Sequence, residues 1–232
     1  MKYLSLVISI LLIVACKHDS KNSNEKFEAI EKVDTVFVHD TTLVRDSVAT
    51  LTSVFNQLSY KYNYKISFTE YYENSEAYKH FWTVEIFDKK MNLVDTIILD
   101  SYLYYFPQDM QFVTTSYITD FNTDMKIMDE YYGDVVIADV NFDNLEDLAI
   151  AYDTGASNGP FYTFYIQNNG HFERDGFLTD SVYKFPGKID RRHKQITTYW
   201  HATASCSSEN LFHYNSKTKS WKRGERILHC FD

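Results

Sequence analysis

Glycine and proline are scarce in this chain, 7 and 3 in 232 residues. That scarcity excludes a collagen-like polymer and a Pro/Gly-rich disordered chain. Cysteine is also sparse: there are 3, with no Cys-x-x-Cys and no His-x-x-x-His spacing. A disulfide-dense miniature scaffold is therefore excluded, and a linear zinc-finger pattern is missing. Basic residues are in deficit, 23 Lys and Arg against 32 Asp and Glu, for a formal charge of −9. Nucleic-acid binding needs clustered cations to neutralise phosphates, so that partner is excluded. Nor is an acidic chain drawn by charge to an anionic bilayer. The apolar run that opens the chain, Tyr3 to Val14, is about twelve residues, against the roughly 20 that a spanning helix needs.

Three linear catalytic motifs are missing too: there is no His-Glu-x-x-His pair, phosphate-binding Walker loop or dinucleotide fingerprint. The eight His are scattered and read as surface or packed residues. Paired carboxylates for glycoside hydrolysis meet in space and leave no linear trace. Glu85 and Glu209 are then only two among 32 acidic residues. The expectation is a chain that is not an enzyme.

What is present begins at the N-terminus. Lys2 precedes the apolar run, and Ile13-Val14-Ala15-Cys16 follows. This looks like a lipobox: a small residue before the cut admits the chain to a lipoprotein signal peptidase, and the Cys16 thiol carries the lipid. Residues 1–16 are read as a lipoprotein signal peptide. Residues 17–50 are read as a polar tether and extended arm. The expected location is the cell envelope, lipid-anchored, at the outer membrane on its periplasmic or surface face. With Cys16 acylated, Cys206 and Cys230 are left for an oxidising compartment, where two thiols pair. A bridge closing about 25 residues stabilises by roughly 3 kcal/mol in the chain-entropy model. A zinc site from Cys206, Cys230, His213 and His229 is the alternative.

Residues 51–232 are read as an all-β domain, with 51–130 and 131–232 as possible subdomains. Tyr and Phe number 19 and 17, residues that suit a pleated, half-buried surface. Period-two alternation marks Tyr64–Thr69, Trp82–Phe87 and Leu93–Leu99. Further strands are expected at Tyr102–Phe106, Phe112–Ile118, Asp134–Ala138, Leu148–Tyr152, Phe161–Ile166, Gln195–His201, Glu209–Tyr214 and Trp221–Ile227. Gln167-Asn168-Asn169-Gly170-His171 reads as a hairpin turn, since Asn and Gly tolerate positive φ. Leu51–Tyr60 reads as a short helix. The class expected is an irregular antiparallel sandwich or propeller-like sheets, with a calcium loop between two strands. No fixed-length repeat stands out.

That loop is Asp139-Val140-Asn141-Phe142-Asp143-Asn144-Leu145-Glu146-Asp147. Oxygen side chains fall at positions 1, 3, 5 and 9, the spacing that wraps a chain around one hard cation wanting six to eight oxygens. Asp139, Asn141, Asp143 and Asp147 would ligate through side chains and Leu145 through its carbonyl, holding a single structural Ca²⁺. The bidentate Glu of a helix-loop-helix sensor is replaced by Ile150, and its sixth-position Gly by Asn144. The competing reading is an acidic hairpin with no ion. Asp120-Phe121-Asn122-Thr123-Asp124 repeats only the first half of the pattern.

With the turn Thr154-Gly155-Ala156-Ser157-Asn158-Gly159-Pro160 and the aromatic pair Phe161-Tyr162, this stretch resembles a family of bacterial periplasmic lipoproteins. Their strand pair reads D-x-N-F-D-x-x-x-D-hydrophobic, and the loop is similar to FG-GAP/VCBS repeats. The resemblance covers about Tyr132 to Leu228. It implies a relation to immunity lipoproteins that inhibit lysozyme-like effectors. The partner implied is a protein, a cationic cell-wall hydrolase, beside the membrane reached through the acylated Cys16. Gly155, Ser157, Asn158 and Tyr162 are the partner-binding candidates, Tyr162 as an aromatic anchor; the competing and favoured reading is a hairpin connection with Phe161 and Tyr162 in the core. The alternative is a structural envelope lipoprotein without inhibitory activity.

Overall fold

Strand-forming residues recur every second position along β2 (Tyr62–Glu73) and β3 (Glu76–Asp88), and this alternation sets one face inward. The computed structural model describes residues 47–74, 76–103, 113–118 and 132–230. In β2, Tyr64, Ile66 and Phe68 point in, and β3 places Ile86, Val84 and Trp82 opposite them. All six are fully buried. The ring centroids of Phe68 and Trp82 lie 4.7 Å apart, a cross-strand pair of the kind that fixes register. β1 (Ser47–Phe55) and β4 (Leu93–Ser101) flank this pair, giving a first sheet in the order β1-β2-β3-β4.

The middle sheet runs β5 (Thr114–Ser116), β6 (Val135–Ala138), β7 (Asp147–Asp153), β8 (Phe161–Asn168) and β9 (His171–Arg174), in that order. Its interior strands do not alternate. Every residue of β6 is buried, as is every residue from Asp147 to Ala151. Continuous apolar runs such as Val135-Val136-Ile137-Ala138 belong to strands covered on both faces. Here also lies the parallel pair, β5 with β6. The last sheet is β10 (Lys188–Asp190), β11 (Gln195–Thr203), β12 (Cys206–Asn215) and β13 (Ser220–Cys230), again in chain order.

The protein is all-β, three consecutive sheets that share one cluster of buried side chains and form no closed barrel among the described residues. Hydrogen bonds join the sheets as well. Trp82 Nε1 donates to the Ala151 carbonyl at 2.8 Å, first sheet to middle sheet. The hairpin turn falls where Asn169 and Gly170 place it, with φ of 52° and 89°, and joins β8 to β9 across the Asn168–His171 pair. Two φ values above zero are the mark of a type I′ turn.

The helix expected at Leu51–Tyr60 is corrected: Ser47–Phe55 is a strand. The β-branched residues Val48, Thr50, Thr52 and Val54 alternate through it, and such side chains are stiff in a helix and at home in a sheet. Two hydroxyl pairs then tie it to β2, Thr50 to Thr69 at 3.1 Å and Thr52 to Ser67 at 2.8 Å. The strand expected over Phe112–Ile118 is confined to Thr114–Ser116. Tyr102 and Leu103 are irregular, and the rest of that expected strand lies outside the described residues. So do Cys16, residues 17–46 of the tether and arm, and Asp120–Asp124; Ser47–Thr50, expected as the end of the arm, belong to β1.

Candidate functional site

The acidic loop joins the end of β6 to the start of β7, with Ala138 and Asp147 directly opposite each other. The chain turns tightly here because Phe142 and Asn144 both adopt left-handed φ, 64° and 65°. Asn tolerates that conformation better than most side chains. Loop N–H groups point inward to the acids. Asp139 accepts from the backbone N–H of Asp143 through Oδ1 and of Asn144 through Oδ2, both at 3.1 Å. Asn141 Oδ1 accepts the same Asp143 N–H at 3.1 Å, and its amide nitrogen donates to Asp143 Oδ2 at 3.0 Å. Asp143 Oδ1 accepts from the Leu145 N–H at 2.8 Å.

Asp147 closes the loop. Its Oδ2 accepts from the Val140 and Asn141 N–H groups at 3.0 and 3.4 Å, and its Oδ1 from Gln167 of β8 at 3.0 Å. Burial pushes its carboxyl well above the ordinary aspartate range; these backbone donors pull it back, and the charges of Asp143 and Asp139 add to the rise. Asp139 and Asp147 are 2 % and 1 % exposed, so negative charge is concentrated where water screens it poorly.

A cation comes to this charge from elsewhere in the fold. Arg191, in the turn between β10 and β11, donates through a guanidinium N–H to Asp139 Oδ2 at 2.7 Å. The sequence spacing missed Arg191. The basic run Arg191-Arg192-His193-Lys194 stands out in an acidic chain, but nothing in it names Asp139 as the partner.

The loop also fastens the three sheets together. Phe142 packs on Tyr214 and Trp221 of the last sheet, ring centroids 6.3 and 6.1 Å away. Glu146, buried at 3 % exposure, accepts from the Tyr64 hydroxyl of the first sheet at 3.2 Å. Position 8 of a calcium loop carries no ligand, so spacing gave Glu146 no role.

The five expected ligands thus sit on one loop, and their donors are all oxygen, the chemistry suited to a hard divalent cation. Among the described residues, no three His, Cys, Asp or Glu side chains converge as a metal-holding group. The acids face their own backbone N–H groups. Each carboxylate oxygen has two lone pairs, so an accepted hydrogen bond leaves room for an ion. The donor set is all oxygen, as a hard cation wants, and the cation placed on it among the described residues is the Arg191 guanidinium at Asp139 Oδ2.

The turn from Gly155 to Tyr162 is placed differently from the expectation for it. Ala156–Asn158 forms one 3-10 turn, and a Cβ at Gly155 would sit 1.7 Å from the Gly159 carbonyl oxygen. Asn158 Oδ1 accepts from the His201 N–H at 3.1 Å, which holds the turn against β11. Of the two places expected for Tyr162, the structure gives the core and not the surface anchor. It is 1 % exposed, and its hydroxyl donates to the Gly133 carbonyl at 2.8 Å. Its place on β8 turns the ring inward, toward Phe164 and Phe185. Cys206 and Cys230 are opposite residues of β12 and β13 and are joined as a disulfide, which uses both thiols of the zinc alternative. His229 pairs instead with Glu209 at 3.4 Å.

No family model matches the chain, and no curated protein matches it. Among solved structures it is similar to the "Structure of a Xanthomonas Type IV Secretion System related protein". The likeness has 12 % identity, covers 79 % of this chain and 82 % of that one, and has a TM-score of 0.49. At that level it carries no argument.

Proposed function

We propose that this chain is an exported lipoprotein, held to an envelope membrane by acyl chains on Cys16, whose calcium-braced β scaffold binds a protein partner. The observation that carries the reading is the loop between β6 and β7. It gathers Asp139, Asn141, Asp143 and Asp147 on one short segment and fixes strands from three sheets through Phe142, Glu146 and Asp147. An ion there would hold Asp139, Asp143 and Asp147 against their mutual repulsion and stiffen the scaffold. Rigidity of this kind lowers the entropy cost of binding a partner.

The residues named for this role recognise; none is assigned to bond-making. Of the partner surfaces considered, a lysozyme-like cell-wall hydrolase suits best, because the formal charge of −9 speeds encounter with a cationic protein. Inhibition of such an enzyme is the activity to test. The full chain, purified in detergent, is added to a panel of lysozymes acting on cell-wall substrate, with calcium or with chelator. Slower lysis by at least one enzyme, relieved by chelator, is expected. If no enzyme is slowed in either condition, the inhibitor reading falls and a structural envelope role takes its place.

A further inference from the structure

We propose that the edge strand β13 and the basic turn before it form a docking surface for an anionic phospholipid bilayer, so that the last sheet lies against the membrane. The inference rests on the reading of the chain as a lipid-anchored protein and adds an orientation to it.

Three observations carry it. First, the formal charge of −9 conceals a segregation. Residues 188–230, the last sheet and its turns, hold 9 Lys and Arg against 3 Asp and Glu, for +6. Residues 132–183, around the middle sheet, hold 9 Asp and Glu against one Arg, for −8. An anionic surface is therefore attracted to one sheet and repelled by its neighbour, which orients the molecule.

Second, the fold lays the cations along an edge. β13 ends the sheet order and pairs with β12. From Lys222 to Cys230 its residues are exposed, apart from half-buried Gly224, and Lys222, Arg223 and Arg226 succeed one another there. The turn before it adds the exposed Lys217 and Lys219. The β10–β11 turn is drawn up beside that turn: Lys194 Nζ donates to Ser216 Oγ, and the Lys194 carbonyl accepts from the Tyr214 N–H at 2.9 Å.

Third, the edge is not charge alone. Ile227 and Leu228 are 42 % and 56 % exposed, set between Arg226 and His229. Aliphatics flanked by cations suit a bilayer surface, where apolar groups enter the headgroup boundary and cations meet phosphates. A polyanion in free solution offers the phosphates without an apolar layer. Charge on an edge also keeps other strands from pairing with it, a role that exposed Ile227 and Leu228 would weaken. Because acyl chains on Cys16 would hold the sheet near the bilayer in any case, weak attraction by each cation suffices.

The test reconstitutes the full acylated chain in vesicles of phosphatidylcholine, or of phosphatidylcholine and phosphatidylglycerol in equal parts, each with a dansyl-headgroup lipid. Two of the three tryptophans, Trp200 and Trp221, belong to the last sheet, so energy transfer from tryptophan to dansyl reports its distance from the surface. Transfer is expected about 2-fold higher in the anionic vesicles at low salt, and equal in the two at high salt, where screening is short-ranged. Lys217→Gln, Lys219→Gln, Lys222→Gln and Arg226→Gln combined, all at exposed positions, should abolish the difference. Ile227→Ser with Leu228→Ser should reduce it by about half. Equal transfer in the two lipids, with the natural chain floating with both, overturns the inference and leaves the anchor standing. An anionic excess that survives the four Gln substitutions overturns it as well, since the attraction then lies elsewhere. So does an excess untouched by the two Ser substitutions, because any polyanion would then serve. A chain that floats with neither vesicle overturns the anchor reading, and this inference falls with it.

Discussion

At the start of β6 stands Asp134, fully buried, its Oδ2 taking the Val113 N–H at 2.7 Å. At the end of the same strand stand Asp139 and, across the sheet, Asp147, buried to the same degree among a whole loop of backbone donors and one guanidinium. Loss of solvent pushes the Asp134 carboxyl up to about 7, with one backbone hydrogen bond opposing. At Asp147 burial also dominates, but neighbouring acids add to the rise. The first end answers buried charge with a proton. The second also holds a carboxyl pushed up by burial, but it sets neighbouring acids, several N–H donors and one guanidinium around it. The difference lies in company: Asp134 has one backbone donor opposing its shift, and Asp147 sits in a network.

The largest effect that would break this comparison comes from Asp147. Asp147→Ala leaves the N–H groups of Val140, Asn141 and Gln167 without their acceptor. A buried donor so stranded costs about 1–3 kcal/mol. Summed with allowance for relaxation, the variant is expected to lose about 3–5 kcal/mol in denaturant unfolding. Asp147→Asn keeps one carbonyl oxygen but turns its amide NH2 toward the N–H groups that the other oxygen accepted, so it should lose less than Asp147→Ala and still a measurable amount. A variant as stable as the natural chain would mean that the loop does not depend on both acceptor oxygens.

Next in size is the pH dependence of Asp134. Unfolded, this aspartate titrates near its ordinary value; folded, near 7. Below about 4 both states hold the proton, and nothing is lost. Between about 4 and 7 the unfolded chain releases its proton while the folded chain keeps it, so stability falls as pH rises. Above 7 the loss is complete and the curve flattens. The drop is on the order of 2–4 kcal/mol. Asp134→Asn keeps the acceptor for Val113 and cannot ionise, so its stability should lack that slope. Melting both chains from pH 4 to 8 measures the difference; parallel curves would remove Asp134 from the pH response.

How far these features were legible in the sequence follows from the distance over which each is decided. The alternation of Tyr64, Ile66 and Phe68, the Asn169-Gly170 turn and the carboxylates between 139 and 147 depend on a few neighbouring residues, and spacing exposes them. The period-two signal failed at Leu51–Tyr60, where Leu51, Val54 and Leu58 mimic helical spacing. What settled that segment was a hydroxyl ladder to Ser67 and Thr69, partners on another strand. Arg191 is 52 residues from Asp139, and Tyr162 meets Gly133 from 29 residues away. No local pattern encodes either contact. A Tyr after a glycine-rich turn reads as an exposed anchor or as a core residue, and the course of β8 decides between them. The division into three sheets is illegible for the same reason, since a break between meanders leaves the strand pattern unchanged.

The smallest effect tests whether the loop's attachment to the first sheet belongs to the networked end of the comparison. Tyr64→Phe removes one hydroxyl and leaves the ring in place, so the bond to Glu146 Oε2 is lost, together with the hydroxyl's hydrogen bond with Ser59. Burial first, and the Glu146 charge and hydrogen bond after it, hold the Tyr64 hydroxyl protonated well above the ordinary tyrosine range, so it donates throughout the accessible pH range. Loss of a hydrogen bond to a charged acceptor costs about 1.5–3 kcal/mol when the acceptor stays dry. Glu146 has Lys89 in its field, and the expected cost is therefore nearer 1 kcal/mol. If calcium braces the loop, the Tyr64→Phe deficit should shrink in saturating calcium, because the ion then holds Asp147, the neighbour of Glu146, independently of the first sheet. A deficit that is the same with calcium and with chelator would separate Glu146 from the cation site and make its bond to Tyr64 a fixture of the core alone.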